Sequence, residues 1–440
     1  MGIPVDELGV VGIAAGIAAG DYSPTEVVAD ALDRIELADA RVHAWSYLDP
    51  DGARREAELL TSEVRRGYSR GPLHGVPIGV KDEFLVRDMP TGMRDKTTLP
   101  LETVDATSVS LLRRAGAIIL GKTHMPIGDR TPPTRNPWNQ EHTAGGTSSG
   151  SGAAVGARMV PAAIGEQTAG SNLRPAAYCG VVGMKPTYGR IGRFGCIPYA
   201  WSLDHVGIIA LSVADVALLL SVMAGPDPRD PTTLSDPPPT SDLRMNERGA
   251  PRIGVVRNFF LQRCGEDMRA GIERAVGTLR SAGATVADVH LPDDFQLTWS
   301  CWRIITYAEA SICDYFPSEE SDSSRYRAGS LLPATYYLQA RRIRTWLRGM
   351  LAEYWVDRDV LLMPTTPGPA PEGMNTGDPS LLIPWSLLGF PSVNVPFGFA
   401  ENGLPMGLQL VAPPGRDYEL LQASAWVESV LGRLPAPSII

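Results

Sequence analysis

The chain has 440 residues, 44% of them hydrophobic and 20% charged, and carries a formal net charge of −9. That is the make-up of an ordinary globular protein with ample core material, and its acidic balance excludes a nonspecific nucleic-acid binder, which needs a basic surface. Five cysteines (Cys179, Cys196, Cys264, Cys301, Cys313) show neither paired spacing nor histidines at metal-ligand distance, so they read as reduced thiols of a cytoplasmic protein. The N-terminus agrees with that location. Asp6 and Glu7 stand where a secretory signal would be basic, and the apolar run 9–19 is too short and glycine-rich to span a bilayer.

In chain order, residues 24–38 and 51–66 are predicted helices. Ser23-Pro24 supplies a cap followed by proline at the first helical position, and Val27, Val28, Ala31, Leu32 and Ile35 fall on one face. Val76–Lys81 and Ala117–Leu120 are short apolar runs bounded by glycine, as buried strands are, with a helix over Ser108–Ala115 between them. Ser151–Val160 follows as a helix of small residues. The proline-rich tract Gly225–Leu243 reads as a surface excursion. Beyond it come a strand (Arg252–Val256), a helix (Arg269–Ala282), a strand (Ala284–Val289) and an arginine-dense helix (Tyr336–Glu353). Late strands at Val360–Met363 and Leu408–Leu410 close the chain. Alternating strands and helices point to an α/β sheet carried by one domain over residues 1–440.

The chemistry concentrates in two segments rich in small residues and hydroxyls, Thr143–Gly152 and Gly165–Ser171. No histidine stands near either serine, whereas Lys81 ends an otherwise apolar strand. A desolvated lysine, relayed through a second hydroxyl, can activate a serine without histidine. A glycine-serine run alone is more often a linker, and Lys81 alone reads rather as a strand-end cation paired with Asp82 or Glu83. The two segments together with Lys81 favour the catalytic reading.

Leu73–Asp82, Arg135-Asn136-Pro137-Trp138-Asn139, the glycine-serine block, Pro364-Thr365-Thr366-Pro367 and Gly403–Leu410 occur in the order in which the amidase signature family carries them. The chain resembles that family over nearly its whole length, which implies a single large α/β domain with a twisted mixed central sheet covered by helices on both faces and core motifs at about 70–215. Gln167–Ser171, Arg174–Gly180 and Ala200–Gly207 look like its biuret-hydrolase branch. The resemblance implies Ser171 as nucleophile, Lys81 as general base and Thr147, 24 residues before Ser171, as the bridging hydroxyl in place of the usual serine. Ser148 is a rival for that role. The backbone of Thr168, Ala169, Gly170 and Ser171 is implied as the oxyanion hole, in which each donor contributes about 3–4 kcal/mol. Lys81 is expected to be neutral at rest through burial. Glu166 and Gln167 depart from the family's usual threonine and aspartate, and nothing in the sequence accounts for Glu166.

The implied reaction is cleavage of a C–N bond in a non-peptide amide or urea-like small molecule through an acyl-enzyme, with no metal or organic cofactor. A glutaminase subunit of an amidotransferase, a biosynthetic acyltransferase and a weakened binding member stay open. The partner expected is a small-molecule amide, not nucleic acid or membrane, and a homodimer is left open. Specificity is expected from Thr123–Arg130, 301–345 and Trp385–Pro391. Arg341, Arg342, Arg344 and Arg348 read as a solvated face, Cys179 as a small buried hydrophobe, and His74 and His205 as structural.

Overall fold

Ile118, Ile119 and Leu120 point alternately into two separate cores, and so do Ala162, Ala163 and Ile164, and Ile208, Ile209 and Ala210. Strict alternation in residues that are all apolar means a sheet covered on both sides. The structure, a computed structural model, describes residues 5–92, 100–126, 133–236, 249–313 and 328–439.

The described strands are β1 (Trp45–Leu48), β2 (Pro77–Lys81), β3 (Ile118–Thr123), β4 (Ala162–Gln167), β5 (Val182–Lys185), β6 (His205–Ala210), β7 (Arg252–Val256), β8 (Thr285–Val289), β9 (Val360–Pro364), β10 (Ser392–Phe399) and β11 (Pro405–Val411). They form one 11-stranded sheet in the order β1-β3-β2-β4-β6-β5-β10-β11-β9-β7-β8. It is mixed: β3, β2 and β4 run parallel, β6, β5, β10, β11 and β9 pair antiparallel, and β9, β7 and β8 are parallel again.

Helices α1 (Val5–Ala19), α7 (Val213–Met223), α8 (Glu266–Ser281) and α12 (Asp417–Leu431) pack on one face. On the other lie α2 (Pro24–Val42), α3 (Pro50–Arg65) and α5 (Ser149–Gly156). The predicted start of α2 is observed: Ser23 accepts from the Glu26 N–H at 3.2 Å while Glu26 accepts from the Ser23 N–H at 2.8 Å, a reciprocal cap. The remaining helices are α4 (Thr107–Arg114), α6 (Leu173–Tyr178), α9 (Leu297–Ala310), α10 (Ala334–Met350) and α11 (Ile383–Leu388).

Some expected boundaries move. Helix α5 begins two residues before the expected Ser151 and stops at Gly156, because the chain reverses through Arg158 at φ +57°. Of the proline-rich tract, residues 225–236 form turns, and 237–243 lie outside the described residues. The arginine helix is only partly solvated. Arg344 is buried and donates to the Ser202 carbonyl at 3.0 Å, while Arg341, Arg342 and Arg348 are exposed.

Candidate active site

Strands β2 and β4 lie side by side and parallel, so their carboxyl ends bring Lys81 and Glu166 to one edge of the sheet. Strand β6 runs antiparallel to β4 with His205 opposite Gln167, which delivers Asp204 to that edge as well. Carboxyl ends of parallel strands are where open α/β sheets collect their ligands. The loop Thr143–Ser148 and the turn Thr168–Ser171 close over it.

Glycine makes that approach possible. Gly146 has φ +64°, and a Cβ there would stand 2.7 Å from Pro175 Cδ and 2.8 Å from the Ser171 carbonyl oxygen. A Cβ on Gly165 would meet Asn172 Oδ1 at 2.3 Å and Ser148 Oγ at 2.8 Å. Any side chain at either point would force the loop away from the serine turn.

The turn is held from outside by side chains, leaving its own amides available. Gln167 Oε1 accepts from the N–H groups of Asn172 (3.1 Å) and Leu173 (2.9 Å), capping α6. Its Nε2 donates to Ser386 Oγ at 3.0 Å, and Ser386 Oγ donates to the Ala169 carbonyl at 2.5 Å. Trp302 Nε1 donates to the Thr168 carbonyl at 3.0 Å, and the Ser148 N–H donates to the Ser171 carbonyl at 3.1 Å. The N–H groups of Ala169, Gly170 and Ser171 donate to no described residue, and Ala169 is half-buried.

Lys81 is fully buried. Its Nζ donates to Thr147 Oγ1 at 2.7 Å and to Glu166 Oε2 at 3.3 Å, and lies 2.9 Å from Glu83 Oε1. Thr147 is half-buried and Ser171 is 8% exposed. Ser148 is occupied elsewhere: its hydroxyl donates to the Glu166 carbonyl and accepts from the Glu166 N–H, each at 3.2 Å. Of the two rival hydroxyls, therefore, Thr147 is the one that touches Lys81. No hydrogen bond joins Thr147 to Ser171 among the described residues, and their closeness follows from the backbone contacts above.

The expectation of a neutral Lys81 is corrected. Burial would lower its pKa, but the attraction of Glu83 first, and of Glu166 wherever it is ionised, outweighs burial and raises it above the ordinary lysine value. Burial drives the carboxyls the other way. Glu166 is pushed up to about 8 despite Lys81, with Glu83 and Asp204 adding to the rise, and burial raises Glu83 and Asp204 too. One lysine cannot balance three buried carboxylates.

The sequence singled out Thr168 for its backbone alone and Glu166 without an account; Glu166 is 5% exposed and sits against Lys81, and the Thr168 side chain joins it to Asp204. Asp204, Trp302 and Ser386 lay inside named motifs or segments with no role assigned, and they support the turn. Of the expected specificity segments, Trp385–Pro391 is core: Trp385 is fully buried and stacks on Phe260 at 6.1 Å. Residues 127–130 and 314–327 of the other two segments lie outside the described residues. His74 is tied to the Leu60 carbonyl and the Arg70 N–H; His205 Nδ1 lies 3.2 Å from the Gln167 carbonyl. Cys179 is buried, and burial pushes its thiol pKa up.

A cavity of about 310 Å³, lined by Arg158, Glu428 and Arg433 among others, shares no residue with the site. No group of three or more His, Cys, Asp or Glu among the described residues is arranged to hold a metal ion, and no described helix is long and apolar enough to cross a membrane.

The Amidase family model matches residues 26–421, and the chain belongs to the amidase family. It is 36% identical to a glutamyl-tRNA(Gln) amidotransferase subunit of Anaeromyxobacter dehalogenans, with 99% of each chain covered. Among solved structures it is similar to a vestigial protein complex that bears on the origins of an s-triazine catabolic enzyme (TM-score 0.89, 33% identity, 97% of this chain and 99% of that one). It is also similar to the peptide amidase of Stenotrophomonas maltophilia (TM-score 0.82, 31% identity, 98% and 99% covered).

Proposed function

We propose that the chain cleaves an amide C–N bond through an acyl-enzyme on Ser171, with Lys81 as base and Thr147 as the hydroxyl between them. The observation that carries this reading is the 2.7 Å contact from Lys81 Nζ to Thr147 Oγ1 beside the serine turn. With Lys81 neutral, its extra proton released to bulk water, Ser171 Oγ bonds to the amide carbon. Its proton passes to Thr147, and Thr147's own proton passes to Lys81. The N–H groups of the 168–171 turn receive the oxyanion. As the C–N bond breaks, a proton returns by the same route to the leaving nitrogen, and water then repeats the sequence on the acyl group.

The substrate that the relatives support best is the side-chain amide of glutamine, with the ammonia passed to a partner protein, since full-length relatives are amidotransferase subunits. That reading replaces a lone homodimer with a heteromeric assembly. A second reading, a free-standing hydrolase of urea-like small amides, is supported by the biuret-hydrolase-like turn Gln167–Ser171 and the likeness to the s-triazine-related structure.

Ammonia release from glutamine and from a panel of small amides and ureas separates the two readings. Glutamine turnover that rises with co-purified partner proteins supports the first. Turnover of ureas by the isolated chain supports the second. No ammonia from any of them, together with failure of a serine-directed phosphonate to label Ser171, would overturn both.

A further inference from the structure

Thr168 Oγ1 lies 2.8 Å from Glu166 Oε1 and 2.7 Å from Asp204 Oδ1. A hydroxyl has one proton to give. Two carboxylates cannot both accept it, and a lone pair left facing a carboxylate at this distance is repelled, so one carboxyl must itself be the donor. Asp204 is not that donor by its environment: its oxygens already accept N–H bonds from Tyr199 (2.9 Å) and Ala200 (2.9 and 3.0 Å), the surroundings of an ionised carboxylate. Among the described residues Glu166 accepts an N–H bond from Lys81 alone, on its other oxygen, at 3.3 Å.

We propose that Glu166 is a neutral carboxylic acid in the working enzyme, a positioning residue that donates to Thr168 and so locks the turn leading to Ser171. The chain of donors runs from Glu166 Oε1–H to Thr168 Oγ1, and from Thr168 Oγ1–H to Asp204 Oδ1, with the Trp302 indole holding the Thr168 carbonyl behind it. Glu166 Oε2 remains an acceptor for Lys81 and keeps the ammonium under Thr147. This inference rests on the proposed role of Ser171 and Lys81, and it explains why glutamate can stand where threonine is usual: as an acid it acts as a hydroxyl donor.

The groups facing Glu166 are Lys81 and Glu83 from the end of β2, Cys196 from the loop before β6, and Asp204 at its start. Arg193 faces Asp204. Burial and the two neighbouring acids favour the neutral form and hold it up to about pH 8. When Glu166 ionises, Thr168 is left between two carboxylates and Lys81 is bound more tightly as a cation. Both effects slow acylation.

The test compares wild type, Glu166→Gln and Glu166→Met. Two readouts are used: infrared difference spectra at neutral pH, and the rate of phosphonate labelling of Ser171 as a function of pH. Gln can donate to Thr168 and accept from Lys81 in every protonation state. Wild type should show a protonated-acid carbonyl band that is absent in Glu166→Gln. The Gln variant should label within about threefold of wild type at neutral pH and at least tenfold faster than wild type two units above the Glu166 transition, a factor that corresponds to one pK unit. Glu166→Met should be slow at every pH. A carboxylate band for Glu166 at neutral pH, or a Gln variant with the wild-type pH profile or a tenfold loss at neutral pH, would overturn the proposal. The infrared band is read without catalysis, so it is unaffected if Ser171 proves not to be the nucleophile.

Discussion

Thr147→Val against Ser148→Ala separates the two hydroxyls by opposite signatures. Valine keeps the shape of Thr147 and removes one hydrogen bond to a charged group, for which about 1.5–3 kcal/mol is typical. Lys81 keeps Glu83 at 2.9 Å and Glu166 at 3.3 Å, so the stability loss should fall at the low end of that range. At roughly 2 cal/mol/K of unfolding entropy per residue, a chain of this length changes Tm by only about 1 °C per kcal/mol. The rate is another matter: loss of a proton relay costs about 10²–10⁴-fold in kcat/KM. Ser148→Ala should do the reverse. It leaves the buried N–H and carbonyl of Glu166 without their 3.2 Å partner, at about 1–3 kcal/mol for each unmet group. Tm should fall by a few degrees while kcat/KM stays within about tenfold of wild type. Thr147→Ser should retain most activity. The assay is ammonia release at saturating and limiting substrate, paired with thermal unfolding of each variant. If Ser148→Ala abolishes turnover while Thr147→Val keeps it, the relay assignment is wrong, whatever the distances.

Three further outcomes are expected. Ser171→Ala should fold normally and lose turnover, because losses of order 10⁶ follow nucleophile removal in serine hydrolases; residual activity above about one-hundredth of wild type refutes the assignment. Lys81→Arg keeps the charge but cannot deprotonate at working pH, so it should be as inactive as Lys81→Ala, and substantial kcat in the arginine variant would make Lys81 a structural cation only. Glu428 accepts from the Val213 N–H at 3.1 Å, and burial pushes its pKa up to about 7. A carboxyl raised in the folded state adds stability below its unfolded pKa and loses it as pH rises through 7. The Tm gain of Glu428→Gln over wild type should therefore be larger above pH 7 than near pH 4.5, and a pH-independent difference would contradict this.

Much of the architecture was legible along the chain. Short apolar runs bounded by glycine marked β2 and β3, the Ser23-Pro24 cap marked α2, and strand–helix alternation implied an α/β sheet, because these signals are local and follow the period of the backbone. β1, β4, β5, β6 and β10 escaped notice. Ala162–Gln167 and Val182–Lys185 are short and include glycine, alanine or charged residues, and only their neighbours in the sheet make them strands. Lys81 and the two hydroxyl-rich segments stood out because a serine without histidine needs a lysine and a second hydroxyl, and the resemblance to the amidase signature family then pointed to Thr147 and Ser171 within them.

Sequence order could not supply the electrostatics. Glu83, two residues after Lys81, was a foreseeable partner, but Glu166 and Asp204 come from the end of β4 and the start of β6, and no spacing announces that Glu166 meets Lys81 or that Thr168 joins Glu166 to Asp204. Strand order brings them together, and burial then decides their protonation, because a charge removed from water takes its state from the few partners within reach. For the same reason Arg344, part of an arginine-rich face in sequence, is buried against Ser202, and Trp385–Pro391, a candidate specificity loop, is core. Local pattern determined which elements form and which residue types could carry the chemistry. Tertiary packing alone decided which hydroxyl touches Lys81 and which charges surround it, because both depend on contacts between residues far apart in the chain.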